Sequence, residues 1–389
     1  MLLLRWILAS LMLCTGLSMA VQEQALAYNF RPLETTLEKA VKDSVFPGAS
    51  VAVLYKGKVV FHKAFGRMTY APDSTPVDTT TIYDLASLTK AVATTSIIMQ
   101  LVERDSLSLH SPVATYLPEF GKNGKKNITI EHLLRHTSGL RAHTFFAKKC
   151  ATPEALFSAI AADTLLSAPG TTTLYSDPGF MLLGKIVETI TGKSLASNFQ
   201  ERFGKPLGMK ATMFTPPPSL FWRIAPVDQD TLWPFTTQRP LVNDQNAALL
   251  GGVAGHAGLY STTDDLLRMT TMLMRGGTIH NHLYIQKSTL KKFLSRSNSP
   301  RALGWDLRSP DGHSSAGDYF SNSSYGHLGF TGTSLWIDPE KELAVILLSN
   351  RVYPTAENIR IRKFRPLFHN TVAQCLGLQL RQKDHSLAQ

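Results

Sequence analysis

Ser87 stands three positions ahead of Lys90, at the head of a segment, 91–102, that is apolar almost all round. Such a run predicts a buried helix. Positions i and i+3 share a helix face, so the Lys90 amine is expected beside the Ser87 hydroxyl. A serine hydroxyl is a poor nucleophile until a base takes its proton, and a desolvated lysine with a lowered pKa can serve. The pair therefore predicts covalent catalysis without a histidine base. The same spacing recurs at Ser288 and Lys291. There the neighbours Gln286, Lys287 and Lys292 predict a solvated, fully charged lysine, and that copy reads as coincidence.

Tyr175-Ser176-Asp177 lies in a turn just before a helix opened by Pro178. Next to the Lys90 ammonium a phenol would have its pKa lowered from about 10, which makes Tyr175 a candidate proton shuttle. Asp177 has two readings of equal weight: it N-caps the helix that follows, or it orients Lys90. Further on, segment 325–333 carries Gly326, Gly329 and Gly332. Three glycines are odd in a plain strand and predict close approach of backbone to a ligand. An edge strand there can offer a backbone N–H as one half of an oxyanion hole, with the N–H of Ser87 as the other.

Other patterns point away from rival chemistries. His132 and His136 are spaced i, i+4, but Glu131 precedes the first histidine instead of following it, as the H-E-x-x-H metalloprotease motif requires. Structural histidines are expected, and no metal. The glycine-rich stretch 251–258 lacks the G-K-[ST] ending of a phosphate loop and reads as a tight turn lining the cleft, so no cofactor is expected. A G-x-S-x-G elbow is also missing, which argues against an ordinary α/β-hydrolase.

The elements that must position these residues follow from periodicity and turn signals. A helix is expected over 33–43, then a β-hairpin of 49–55 and 58–66 joined at Lys56-Gly57. A helix-rich middle follows, with helices at 130–135 behind Thr129, at 153–161, and at 178–191 ended by Gly192. Segment 221–246 has no clear period and reads as a long loop. A second hairpin is expected from 334–337 and 343–348, and a last amphipathic helix over 362–376. Strands at both ends predict an α+β fold: one antiparallel sheet built from both termini, flanked by helices, with a mostly helical insertion. The sheet part takes about 28–80 and 255–389, and the insertion about 81–254.

The chain of 389 residues, 43% hydrophobic and 18% charged, is globular in composition. Residues 1–27 have the form of a signal peptide: Arg5, an uncharged apolar stretch from Ile7 to Met19, and Ala25-Leu26-Ala27 as cleavage site. The apolar stretch is short of the about 20 residues a membrane span needs. Export to the periplasm is the expectation, with an uncleaved inner-membrane anchor as the alternative. The net charge of +11 is scattered, without an arginine-rich block or RNA-binding motif. It predicts a solvated surface with some attraction to an anionic wall or membrane, and no nucleic-acid partner. Cys150 and Cys375, the cysteines beyond residue 27, are not a disulfide framework.

Taken in order, Ser87-Leu88-Thr89-Lys90, Tyr175-Ser176-Asp177 and His327-Leu328-Gly329 resemble the serine β-lactamase and penicillin-binding-protein superfamily. The resemblance is to the class C β-lactamase, D,D-carboxypeptidase and esterase branch, of the penicillin-binding protein 4B type. It extends over nearly all of 30–370 and includes His136-Thr137-Ser138-Gly139-Leu140 and the 251–259 stretch. It implies a β-lactamase/transpeptidase-like fold in which Ser87 is the nucleophile, Lys90 helps deprotonate it, and Tyr175 is the general base and acid. His327, Leu328 and Gly329 stand where the family has its Lys-Thr-Gly strand, and Phe330 supplies the second oxyanion N–H. Asp177, His327, Leu328 and Gly329 are thus implied substrate-binding residues.

The chain departs from the family pattern at three of these positions. Asp177 replaces an asparagine, His327 a carboxylate-holding lysine, and Leu328 a hydroxyl residue. A histidine with a pKa near 6.5 implies cationic help for a substrate carboxylate that fades as pH rises. The implied function is a serine hydrolase acting on a small-molecule or peptide acyl donor, foremost a D,D-carboxypeptidase of cell-wall peptides. The alternatives are an esterase or weak class C-like β-lactamase, and a non-catalytic penicillin-sensing or wall-binding module.

Overall fold

The computed structural model describes residues 28–228, 242–296, 300–309 and 313–380. The expected signal segment 1–27 lies outside them.

A six-stranded antiparallel sheet draws its strands from both ends of the chain, as expected. In order across the sheet they are Lys58–Gly66, Gly48–Tyr55, Leu343–Ser349, Ser334–Asp338, Tyr325–Leu328 and Asp306–Leu307. The N-terminal hairpin joins the C-terminal one through Gly48–Tyr55 and Leu343–Ser349, with Ala52 opposite Ile346 and Val53 opposite Val345. Side chains alternate faces along a strand, and both central strands are apolar on both faces. Val51, Val53, Val345 and Leu347 turn to one side, where the first helix, Arg31–Lys42, and the last, Ile361–Cys375, cover them. The first helix does so with Leu33, Leu37 and Ala40, a 3.6-residue stripe.

Ala52, Leu54, Ile346 and Leu348 turn to the other side and meet Leu85, Leu88, Val92 and Ile97. That face holds the larger core, in which each fully buried Leu or Ile contributes about 1.5–3 kcal/mol. Two helices run through it. One is Lys90–Glu103, whose first six residues, Lys90–Thr95, are wound as a π-helix before Ser96–Glu103 becomes α-helical. The other is Asp177–Thr191, closed by Gly192 in the left-handed region at φ 66°. Thr129 caps the helix Ile130–Leu134 as expected, and His132 closes the capping box. The expected loop 221–246 begins inside a 3₁₀ segment, Pro218–Arg223, and ends inside the helix Gln245–Leu249; residues 229–241 are outside the described part.

Candidate active site

Ser87 follows Ala86, whose φ of 47° is left-handed. A residue with a Cβ is held there at a cost of about 1–3 kcal/mol. The surroundings enforce it: the Ala86 N–H donates to the Asp84 carboxylate at 2.8 Å, and its carbonyl accepts from Thr89 N at 3.0 Å. Lys90 is the first residue of the π-turn and is fully buried. The sequence predicts an ordinary helix; the observed widened turn is a form that recurs at functional sites.

The Lys90 Nζ has three N–H donors and meets three oxygens. It donates to Ser87 Oγ at 2.9 Å and to the His256 carbonyl at 3.0 Å, and it pairs with Asp177 Oδ1 at 2.8 Å. The Tyr175 ring lies 4.9 Å from it. This corrects the expectation of a lysine with a lowered pKa. Burial does push Lys90 down, but the Asp177 carboxylate, with the Tyr175 hydroxyl adding to it, outweighs burial and holds the amine above its ordinary value. Lys90 is an ammonium.

Tyr175 is corrected in the opposite sense. Burial raises its pKa, and the lowering by Lys90 does not overcome that. The ring is stacked on His136 at 4.5 Å and covered by the Arg301 guanidinium at 5.1 Å. His136 is itself neutral: burial, then Arg301, Lys90 and His327, hold it far below its ordinary value. Its Nδ1 accepts the Ser176 N–H at 2.9 Å, so this histidine fixes the Tyr175-Ser176 turn.

The two readings of Asp177 are resolved by its neighbour. Ser176 is the N-cap, its hydroxyl accepting from Gly179 N at 3.3 Å. Asp177 is thereby free to serve Lys90 with Oδ1, while Oδ2 meets His143 Nδ1 at 3.2 Å. Although burial alone would raise the Asp177 pKa, Lys90, His143 and His256 pull it well below the usual carboxylate range. The His256 carbonyl that accepts from Lys90 is steadied from behind, where its Nε2 meets Asp244 Oδ1 at 2.9 Å. The glycine stretch is the expected turn, and Gly255 packs directly on Gly184 in the Asp177–Thr191 helix. A Cβ on Gly184 would lie 2.8 Å from the Gly255 nitrogen.

Segment 325–333 differs from expectation in three ways. The strand Tyr325–Leu328 is not outermost, because Asp306–Leu307 pairs with Tyr325 and Gly326; among the described residues no strand pairs with its His327–Leu328 half on that side. The glycines answer to the protein's own packing: a side chain on Gly326 would strike Trp336, and one on Gly329 would strike Thr333 and the Leu85 carbonyl. His327 is only 2% exposed, its Nδ1 lies 2.9 Å from the Leu328 carbonyl, and burial brings its pKa down to about 4. It carries no charge near neutrality, contrary to the expected cationic help. Arg301, ion-paired with Asp306, is a cation of this neighbourhood, as is Lys90. Leu328 is half-buried, Gly329 buried, and Phe330 half exposed at the turn that follows.

Ser87, Lys90, Tyr175 and Asp177 are thus brought together as the spacing suggests. His143, Asp244 and Arg301 escaped the sequence reading, and His256 was inside a quoted motif without a role. The second Ser-x-x-Lys is an exposed pair on the helix Lys287–Leu294. Cys150 and Cys375 are free thiols. Among the described residues no acidic, histidine and cysteine group could hold a metal, and no helix is long and apolar enough to cross a membrane.

The sequence model of the β-lactamase family matches residues 33–367. This chain belongs to the β-lactamase family. An Escherichia coli O157:H7 protein, provisionally named a D-alanyl-D-alanine carboxypeptidase, is 31% identical over 355 residues, 81% of each chain. Among solved structures, a penicillin-binding protein homologue from Caulobacter crescentus superposes with a TM-score of 0.70 at 20% identity, covering 89% of this chain and 97% of that one. EstCE1, a hydrolase with promiscuous acyltransferase activity, gives 0.70 at 21% identity, covering 86% and 98%. The protein is a serine hydrolase with the antiparallel-sheet fold of β-lactamases and penicillin-binding proteins.

Proposed function

We propose that this β-lactamase-family hydrolase works through an acyl-enzyme on Ser87 and acts as a D,D-carboxypeptidase of cell-wall peptides outside the cytoplasm. The observation that carries the reading is the Lys90–Asp177 ion pair against the Ser87 hydroxyl. Because Asp177 keeps the proton on Lys90, the group that receives the Ser87 proton is Tyr175, whose phenolate the ammonium stabilises. Ser87 Oγ then attacks the acyl carbon, and the tetrahedral oxyanion is met by the N–H groups of Ser87 and Phe330. Tyr175 returns the proton to the leaving amine or alkoxide, and water repeats the sequence to release the acid. The carboxypeptidase assignment is supported by the name of the E. coli relative.

A second reading, an esterase, is favoured by one specific observation. His327 is neutral and Leu328 has no hydrogen-bonding group, so the strand position that would hold a substrate carboxylate offers none of the usual help. Hydrolysis of nitrocefin, a D-Ala-D-Ala peptide and a p-nitrophenyl ester separates these activities. Intact-mass spectrometry after fluorophosphonate or penicillin treatment is expected to show one adduct on the Ser87 peptide. The adduct should be lost in Ser87→Ala and kept in Lys291→Ala. An adduct on Ser288, or none with any acylating agent, would refute the assignment and leave a non-catalytic wall-binding module.

A further inference from the structure

The peptide that links Gly329 to Phe330 has its carbonyl and its N–H on opposite edges, as trans peptides do. What holds the carbonyl therefore aims the N–H. The Gly329 carbonyl accepts from Arg365 Nη2 at 2.8 Å, and the same nitrogen donates to the Thr333 carbonyl at 2.7 Å. Arg365 comes from the last helix and is 6% exposed. Burial, with Arg351 adding to it, lowers its pKa to about 9, so it remains a cation near neutrality. The next carbonyl, that of Phe330, accepts from Arg351 Nε at 2.7 Å.

Two guanidiniums on successive carbonyls repel each other, and a buried one is costly. Tying a turn together needs only a neutral donor. The charge makes sense if negative charge develops on the far side of this peptide, where a cation at the carbonyl oxygen strengthens the opposite N–H as a donor. The turn is also fastened to the nucleophile's own segment. Thr331 Oγ1 donates to the Asp84 carbonyl at 2.7 Å, and Thr333 Oγ1 to the Leu85 carbonyl at 3.0 Å. Asp84 and Leu85 lead directly into Ala86 and Ser87, so both backbone donors share one frame.

We propose that Arg365 is a positioning residue for the oxyanion site, aiming and polarising the Phe330 N–H through the Gly329 carbonyl. The proposal rests on the reading of Ser87 and Phe330 as oxyanion donors.

Arg365→Gln and Arg365→Lys test it in the full-length enzyme, with three readouts. These are kcat and KM for a p-nitrophenyl ester, the affinity of a boronic acid that forms a tetrahedral Ser87 adduct, and the infrared carbonyl stretch of a slow acyl-enzyme. Loss of an oxyanion donor costs about 10²–10³ in kcat, and a misaimed one is expected to cost at least about tenfold. In Arg365→Gln kcat should fall with KM little changed, boronate affinity should fall in step, and the stretch should move to higher wavenumber. Arg365→Lys, which keeps the charge and is the informative variant if Gln does not fold, should lie between. A folded variant with wild-type kcat, boronate affinity and stretch overturns the proposal. So does a loss of activity and thermal stability with the stretch unmoved, which is what a merely structural arginine would give. If the wild type forms no acyl-enzyme at Ser87, the underlying reading fails instead.

Discussion

Lys90 Nζ and Asp177 Oδ1 stand 2.8 Å apart, and the lysine side chain has no exposure to solvent. A buried ammonium is costly, and a neighbouring negative charge offsets its lost hydration. The pair keeps the proton on Lys90. It also reaches outward, since the other Asp177 oxygen meets His143, which is half exposed.

Asp177→Asn should remove the counter-ion and leave the cation stranded. Breaking a buried pair costs about 3–5 kcal/mol, so a large fall in Tm is expected together with loss of ester hydrolysis. The pH dependence has a definite sign. In the wild type the depressed Asp177 carboxyl gives stability above its unfolded pKa that is lost as pH falls through the folded value. The raised Lys90 gives stability below its unfolded pKa that is lost as pH rises through its folded value. In the variant the Asp177 charge no longer offsets the burial of Lys90, its folded pKa drops, and stability should rise with pH between 6 and 9. Urea melts at both pH values check this; equal pH responses in the two proteins would contradict the pairing.

Tyr175 is kept protonated by burial, so catalysis that needs its phenolate should accelerate with alkalinity. For a neutral p-nitrophenyl ester, kcat/KM is expected to climb steadily from pH 6 to pH 9, and Tyr175→Phe should abolish the climb with the activity. His143 should add an inflection on the acid side. Its pKa is raised by the bond to Asp177, in spite of burial and of Lys90, with Asp244 adding to the rise. Protonation of His143 draws on the Asp177 charge that Lys90 also uses. Removal of that inflection in His143→Gln is the measurement to make, and an unchanged profile would exclude His143.

His327 should be silent over the same range. With its pKa brought down to about 4 by burial, it is charged only in acid below the working range. KM for a carboxylate-bearing substrate, a penicillin or a D-Ala-D-Ala peptide, is therefore expected to show no step between pH 6 and 8 that the ester lacks. A KM that rises through pH 6.5 for the carboxylate alone would show a titrating, accessible His327.

Much of this architecture could be read from local pattern. The hairpins announced themselves through alternation and turn residues, and the buried helix through its unbroken apolar run. Tyr175 and Asp177 stood out because they adjoin a helix start. What escaped depends on contacts between distant segments. His143 meets Asp177 from a loop 34 residues earlier, and Arg365 reaches Gly329 from 36 residues beyond it; His143 sits in no motif, and the period of the last helix does not say what Arg365 meets. The pKa directions of Lys90, Tyr175 and His327 were misjudged for a related reason. Spacing says which groups are neighbours, but not how dry the place is or which partner outweighs the burial.

The mature protein is expected to begin near Tyr28 and to be found outside the cytoplasm, on the strength of Ala25-Leu26-Ala27. N-terminal sequencing of exported material checks this. A chain that retains Met1 would point to a membrane anchor instead.

The contact of Gly184 with Gly255 has a reach beyond packing. Gly184 lies on the helix that Asp177 opens, and Gly255 adjoins the His256 carbonyl, so two of the three oxygens around Lys90 are spaced by a helix and a turn touching backbone to backbone. One added methyl at either glycine would wedge these apart and loosen the lysine's electrostatic cage without entering the cleft. Variation that retunes the proton chemistry of this enzyme can therefore arise at a contact between two glycines, and a comparison confined to the catalytic side chains would overlook it.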